Sequence, residues 1–144
     1  MQPVHAVIFD LDGTLVDTLA DLGTSMNRTL EKNGFPAWPL EAYRQMVGNG
    51  MRRLTERALG EGAAPETVER ILGDFLALYD RDCTRLSVPY EGMTDTLDRM
   101  REQGIALAVV TNKTEEQANK IIRHFFGPDR FAAVYGNLPG RRTK

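Results

Sequence analysis

A short apolar segment near the N-terminus constrains the fold most, because it leads directly into two acidic residues. Val4 to Phe9 reads Val-His-Ala-Val-Ile-Phe, and Asp10-Leu11-Asp12-Gly13 follows without a spacer. An apolar run of this length bounded by turn residues is typical of a buried β-strand, and Asp-Gly is typical of a tight turn. The sequence therefore predicts a buried strand whose end carries a pair of carboxylates.

A helical spacing of apolar residues replaces the strand pattern in the next part of the chain. The first helical face is formed by Leu19, Leu22, Met26 and Leu30. Asn33-Gly34 is a typical helix end. Shorter helices are predicted over residues 41–47 and 51–59, and a long amphipathic helix begins after Pro65. We therefore predict that residues 18–83 form an all-helical block.

Beyond Pro89 the predicted helices and strands alternate. The predicted elements are a helix containing Met93, Leu97 and Met100, a strand over residues 105–110, a helix opened by the capping box Thr114-Glu115-Glu116-Gln117, and a strand over residues 131–135. Such alternation predicts an α/β fold built on a parallel sheet. Because the first strand belongs with this part, residues 1–17 and 84–144 are predicted to form the core. Residues 18–83 are then an insertion in it.

The composition excludes several classes of protein. The chain has 144 residues, of which 42% are hydrophobic and 26% charged, so we expect a folded domain with one main core. With 18 Lys and Arg against 20 Asp and Glu, bulk attraction to nucleic acid or to a membrane surface is not expected. Cys83 is the only cysteine, which excludes an internal disulfide. No apolar run approaches the roughly 20 residues of a membrane-spanning helix, no secretory leader pattern is present, and we expect a cytoplasmic protein.

Asp10 and Asp12 stand two residues apart at the end of the first predicted strand, so extended backbone would send both carboxylates to one face. Two anions in one small space must share a proton or recruit a cation, and open α/β sheets bind ligands just beyond such strand ends. Gly13 allows a tight turn whose N–H groups can point at an anion. The alternative is that Asp-Gly only forms a turn. A calcium loop of the EF-hand type is excluded, because its glycine is the sixth loop residue and helices flank it.

Thr111 and Asn112 follow the second predicted core strand, which places a hydroxyl and an amide on the same rim as the two carboxylates. Both groups can donate to a phosphate oxygen. Thr-Asn after a strand also serves as a turn or a helix cap. Lys144 is the last residue, and from the sequence alone it belongs to a solvated basic tail.

These residues resemble the haloacid dehalogenase-like hydrolases, and within that family the bacterial phosphoglycolate phosphatases. Asp10 to Asp17, Asp-Leu-Asp-Gly-Thr-Leu-Val-Asp, resembles the first motif of the family. Val109 to Lys113, Val-Val-Thr-Asn-Lys, resembles the second. Gly48-Asn49-Gly50, with Leu54 and Arg57-Ala58-Leu59, is similar to the helical cap of the phosphoglycolate branch.

The resemblance implies a Rossmann-like parallel-sheet core with an inserted helical cap, and a magnesium-dependent phosphatase that forms an aspartyl-phosphate. By that resemblance Asp10 is the nucleophile, and Asp12 is the acid and base that protonates the leaving group and then activates water. The Asp10 carboxylate and the Asp12 backbone carbonyl would bind Mg²⁺. Thr111, Asn112 and Lys144 would hold the phosphate. The implied substrate is a small phosphorylated metabolite, with 2-phosphoglycolate the best single choice.

The family pattern continues beyond the lysine matched by Lys144 with a further helix and an acidic strand, whereas this chain stops there. We therefore expect a truncated form in which the C-terminal part of the core is missing. Val4 to Phe9 would then be an exposed sheet edge, and such an edge favours self-association. Magnesium binding and turnover by the chain alone are expected to be weak.

Other functions remain open at this point. The same motifs serve phosphatases of other sugar phosphates, nucleotidases and phosphomutases. A receiver-type signalling module also gathers carboxylates, threonine and lysine at strand ends, but its acceptor is not on the first strand and it has no place for the helical block. A non-catalytic phosphate-binding protein is the third alternative.

Overall fold

The computed structural model describes residues 3–138 and residue 140, and it divides the chain into two compact units. Residues 1–17 and 88–144 form one unit, called here the α/β unit. Thr18–Ser87 form the other, called the helical unit. The helical block predicted from the sequence stops at Cys83, whereas the helical unit continues to Ser87. It does so because the Asp21 carboxylate accepts hydrogen bonds from the main-chain N–H groups of Leu86 and Ser87.

The described residues form five strands and six α-helices, together with a short 3₁₀ turn at Leu40–Ala42. In chain order they are β1 (Ala6–Phe9), β2 (Val16–Asp17), α1 (Leu19–Lys32), α2 (Tyr43–Met46), α3 (Met51–Leu59), α4 (Pro65–Asp82), β3 (Val88–Pro89), α5 (Met93–Glu102), β4 (Ala106–Thr114), α6 (Glu115–Phe126) and β5 (Ala133–Asn137). No helix among them has the length and apolar character needed to cross a bilayer.

The main sheet of the α/β unit is parallel and has the strand order β1-β4-β5. Phe9 pairs with Val109, and Val109 pairs with Val134 on its other side. The predicted α/β fold with a parallel sheet is therefore confirmed. Among the described residues β1 is an edge strand, and the Ile8 side chain on it is 68% exposed.

Strand β4 is longer than the sequence indicates. The apolar run predicts an end at Val110, but the strand continues to Thr114, which pairs with Asn137 of β5. A register irregularity lies between Val110 and Thr114. Because β5 supplies backbone partners beyond the apolar run, Thr111 and Asn112 lie within a strand rather than after it.

Two short strands are not predicted from the sequence. Val16 pairs with Pro89 and Asp17 pairs with Val88, which makes a two-stranded antiparallel sheet of β2 and β3. Strands of two residues have too few positions to show a period of two. This small sheet joins the two places where the chain passes between its units.

The helical unit is built on the packing of α1 against α4. The buried apolar face of α1 consists of Leu22, Met26 and Leu30, and that of α4 consists of Val68, Ile71, Phe75 and Tyr79. The rings of Phe75 and Tyr79 stack with their centroids 5.7 Å apart. Leu22, Met26 and Leu30 of the predicted face of α1 are thus buried in the core, and α4 is amphipathic as predicted, with one face buried.

Candidate active site

The two acidic residues of the first motif follow β1 directly. The parallel pairing of Phe9 with Val109 brings the end of β1 alongside the part of β4 that carries Thr111 to Lys113. Parallel strands end at the same edge of a sheet, so side chains from two chain segments far apart in sequence meet there. The structure therefore brings Asp10 and Asp12 to the same sheet edge as Thr111 and Asn112.

Asp10 is half-buried, and its Oδ1 accepts a hydrogen bond of 2.8 Å from the main-chain N–H of Leu11. The bond joins neighbouring residues, so it fixes the carboxylate relative to the turn that follows. Carboxylates that accept backbone N–H bonds are held in one orientation at little entropic cost, because the donor is already part of the fold.

A tight turn follows Asp12 and is anchored by two buried leucines. The N–H groups of Leu15 and Val16 donate to the Leu11 carbonyl, and the Gly13 N–H donates to the Val16 carbonyl. Leu11 and Leu15 are completely buried. Gly13 has φ +77°, a conformation that residues with a Cβ rarely adopt. The turn that Asp-Gly predicts is therefore present, and it holds the two acids in place.

Lys113 is the site residue that sequence reasoning missed. Its side chain is 0% exposed, and its Nζ lies 3.2 Å from Oδ1 of Asp12, which is 22% exposed. The sequence hid this position, because its apolar run predicts a strand end at Val110; in the structure Lys113 occupies an inward position of β4, where burial alternates along the strand. Lysine is almost never fully buried unless it is paired, so a lysine at an inward strand position indicates a buried partner.

Thr111 lies on the same face of β4 as Lys113 and is buried. Its Oγ1 accepts a hydrogen bond of 3.1 Å from the Lys113 main-chain N–H. A hydroxyl that accepts one hydrogen bond can still donate its own hydrogen. The predicted phosphate-binding role of Thr111 is therefore compatible with this contact. Asn112, between them, is half-buried.

Lys144, the third residue predicted to bind phosphate, lies outside the described residues. Its predicted role stays a prediction.

The oxygen groups of this site suit a small hard cation. Asp10 and Asp12 offer carboxylate and carbonyl oxygens, which are the donors that Mg²⁺ prefers. The described part of the chain holds no group of three or more His, Cys, Asp or Glu side chains placed to bind a metal. Mg²⁺ usually keeps several waters and binds through one or two carboxylates plus substrate phosphate. The residues present fit that mode of binding.

The start of α6 is held close to β5 by a glycine. Glu115 Oε2 accepts a hydrogen bond from the Gly136 N–H at 3.2 Å. A Cβ at position 136 would lie 2.4 Å from the main-chain N and Cα of Glu115, so only glycine permits this approach. Thr114 caps the helix by accepting a hydrogen bond from the Gln117 N–H. Together these contacts fix the chain immediately after Lys113.

The chain is similar to known proteins over most of its length. The family described as haloacid dehalogenase-like hydrolase matches residues 7–144. A phosphoglycolate phosphatase of Agrobacterium fabrum is 39% identical over 130 residues, which cover 88% of this chain and 56% of the relative. One from Pseudomonas putida is 41% identical over 114 residues, covering 76% of this chain and 42% of the relative.

The fold is also similar to that of a solved structure over the whole length of this chain. The crystal structure of a predicted phosphoglycolate phosphatase from Haemophilus somnus has a TM-score of 0.92 and 28% identity, and the match covers 100% of this chain and 67% of that one. The chain spans about half the length of the curated relatives it matches. The matched region includes both motifs and the parallel sheet that carries them, and the chain belongs to the haloacid dehalogenase-like hydrolase family.

Proposed function

We propose that this chain is a magnesium-dependent phosphatase of a small phosphorylated metabolite, with 2-phosphoglycolate as the best single substrate. The observation that carries the proposal is the meeting of Asp10 and Asp12, after β1, with Thr111 and Lys113 on β4. Two relatives named phosphoglycolate phosphatase support the choice of substrate.

The proposed reaction has two steps, and each transfers one proton at Asp12. In the first step an Asp10 carboxylate oxygen bonds to phosphorus while the bond from phosphorus to the leaving alkoxide breaks, and Asp12 gives that alkoxide a proton. In the second step a water molecule bonds to phosphorus and gives a proton to Asp12. The bond from Asp10 to phosphorus then breaks, which releases inorganic phosphate and restores both carboxyl groups.

The remaining residues hold the phosphoryl group. The Thr111 hydroxyl and the Asn112 N–H would donate to its oxygens, and Lys144 would balance its charge together with that of Asp10. The Asp10 carboxylate and the Asp12 carbonyl would hold Mg²⁺, which when bound neutralises charge between nucleophile and phosphoryl group. We assign the role of the cap, which excludes bulk water and selects the leaving group, to the helical unit.

Asp10→Asn tests the nucleophile. We expect the rate of phosphate release to fall by at least about a thousandfold, because an amide is too poor a nucleophile to attack phosphorus. Labelled phosphate from the substrate should appear on the wild-type chain in a form that hydroxylamine removes, as an acyl phosphate is removed, and it should be absent from the variant.

Asp95→Asn is the matched control, since Asp95 is an exposed aspartate on α5 of the same unit. It should keep wild-type turnover and labelling. Wild-type turnover by Asp10→Asn would contradict the proposal, and so would phosphate incorporation that resists hydroxylamine. Comparing 2-phosphoglycolate with a sugar phosphate and a nucleoside monophosphate tests the substrate separately from the mechanism.

We further propose that the isolated chain associates with itself through β1. On one side β1 pairs with β4, and no described strand lies on its other side. Ile8 on β1 is 68% exposed, and Val4, two residues before the strand, is 61% exposed. An edge strand with exposed apolar side chains is a template for pairing with another chain.

Ile8→Lys should shift the chain towards monomer in light scattering across a concentration series, because a charge on the edge opposes pairing. Leu86→Lys is the control, since Leu86 is 54% exposed but lies outside the sheet. A wild-type chain that remains monomeric at every concentration, and melts in one sharp transition, would exclude this association.

A further inference from the structure

The ammonium group of Lys113 is buried in a way that packing does not explain. The whole side chain is 0% exposed, and its Nζ pairs with the Asp12 carboxylate at 3.2 Å. Taking an ammonium and a carboxylate out of water carries a desolvation penalty that can exceed their attraction, and apolar side chains of similar volume often stabilise a fold equally well. An ion pair at this position is thus weak evidence of a role in stability.

Lys113 contacts two residues of the candidate site at once. Its Nζ reaches Oδ1 of Asp12, and its main-chain N–H donates to Oγ1 of Thr111. Lys113 lies near the end of β4, the central strand of the sheet, between Val110 and Thr114, which pair with Tyr135 and Asn137 of β5. A cation mounted on the central strand can therefore hold a carboxylate that belongs to the turn after β1.

We propose that Lys113 is a positioning residue for Asp12, an inference that rests on the phosphatase function proposed above. Its ammonium holds the Asp12 carboxylate in the orientation from which it gives a proton to the leaving oxygen and takes one from water. Lys113 acts through Asp12 and makes no contact of its own with the phosphoryl group. Its removal should therefore impair proton transfer and leave substrate binding intact.

Two signatures distinguish this role from a structural one. Lys113→Met keeps the length of the side chain and removes the charge. We expect kcat with an alkyl phosphate to fall by about 10- to 100-fold, the usual effect of removing a group that orients a functional side chain, with KM within about twofold. With p-nitrophenyl phosphate, whose leaving group departs without a proton, the rate of the phosphorylation step should change by less than about threefold.

A double-mutant cycle gives the decisive measurement. If Lys113 acts only through Asp12, then adding Lys113→Met to Asp12→Asn should lower kcat by no more than about twofold, because the residue it positions is already gone. A decrease as large as in the wild-type background would overturn the proposal. A raised KM with unchanged kcat would overturn it too, since that pattern belongs to a group that binds substrate directly.

Folding and the proposed function are controlled within the same experiment. Circular dichroism checks each variant, and Lys113→Arg, which keeps a positive charge, should retain at least about a tenth of wild-type kcat if Lys113→Met does not fold. An Arg variant as inactive as Asp12→Asn would count against positioning. A wild-type rate no higher than that of Asp10→Asn would overturn the phosphatase function and this inference together. An active wild type with an unaffected Lys113→Met overturns the inference alone.

Discussion

The two units use buried polar groups in different ways. In the helical unit Thr29 donates to the Ser25 carbonyl and Asp21 accepts from the Leu86 and Ser87 N–H groups. The buried Asp82 of that unit pairs with arginine side chains that are at least half exposed. In the α/β unit the buried Lys113 pairs with Asp12, from another strand end. The described ion pairs of the helical unit thus place their cations at the surface, whereas in the α/β unit a fully buried cation faces a carboxylate of the candidate site.

The units also differ in where their apolar residues lie. The α1 and α4 helices bury one continuous face each, whereas β1 of the α/β unit leaves Ile8 largely exposed. The helical unit therefore contains its own core within the described residues, while the parallel sheet has an edge at β1 that pairs with no further described strand.

Replacing one isoleucine in each unit by alanine tests this contrast, and it has the largest expected effect on the free energy of unfolding. Ile71 is 0% exposed on α4, so Ile71→Ala should lower the free energy of unfolding by about 2–5 kcal/mol through lost burial and the cavity left behind. Ile8 is 68% exposed on β1, so Ile8→Ala should change it by less than about 0.5 kcal/mol.

Urea denaturation at a protein concentration low enough to suppress self-association measures both values. A loss of several kcal/mol in Ile8→Ala would mean that the β1 edge is covered in solution, and it would remove the contrast between the units.

Elements with a long local pattern are predicted well from the sequence, and elements that depend on distant partners are not. Helices α1 and α4 are long and amphipathic, so their periodicity alone locates the buried faces. Strands β2 and β3 have two residues each and no readable period. The extension of β4 from Thr111 to Thr114 depends on partners in β5, which lie beyond the range of any local pattern.

The residues of the candidate site also divide into those that a local sequence pattern indicates and those that depend on tertiary contacts. The placement of Asp10, Asp12, Thr111 and Asn112 at one edge of the sheet is predictable, because each pair follows an apolar run and parallel strands end at the same edge. Their chemical roles stay predictions. Lys113 was part of the second motif, but no local pattern indicates that its ammonium reaches Asp12. That contact depends on the parallel register between β1 and β4, which only the tertiary structure shows.

Replacing one glycine in each unit by alanine compares how tightly the two units are packed, and we expect an intermediate effect on the free energy of unfolding. A methyl group at position 136 would meet main-chain atoms of Glu115 at 2.4 Å, and neither atom can move without displacing α6 or β5. Gly136→Ala should therefore cost about 1–3 kcal/mol or more. A methyl group at position 23 would meet the side chains of Leu40 and Tyr43, at 2.7 and 2.8 Å.

Gly23→Ala should cost less than Gly136→Ala, because a gain in helix propensity of about 1 kcal/mol and movement of the exposed Leu40 side chain offset part of the strain, although the completely buried Tyr43 ring must also shift. Thermal and urea denaturation of the two variants gives the comparison. Equal costs would show that the packing around α1 is as rigid as the junction between α6 and β5.

The smallest expected effect concerns an acid in the helical unit whose contribution depends on pH. A hydrogen bond from the Arg81 guanidinium holds the pKa of Asp82 below its ordinary value of 3.8; burial opposes this shift, and the charges of Arg81, Arg85 and Arg28 add to it. The unfolded chain has the ordinary pKa, so the ionised carboxylate stabilises the fold above that value. The contribution is lost as the pH falls through the lower folded pKa.

Asp82→Asn should therefore be less stable than the wild type from pH 7 to pH 5, and the difference should shrink as the pH falls below the ordinary value of 3.8. Glu41→Gln is the control, because Glu41 and its partner Arg44 are both well exposed and such pairs contribute less than about 1 kcal/mol. Urea denaturation at intervals from pH 7 to pH 3 measures the curves. Curves for Asp82→Asn and wild type that stay parallel over the whole range would mean that the arginines around Asp82 do not favour its ionised form in the folded chain.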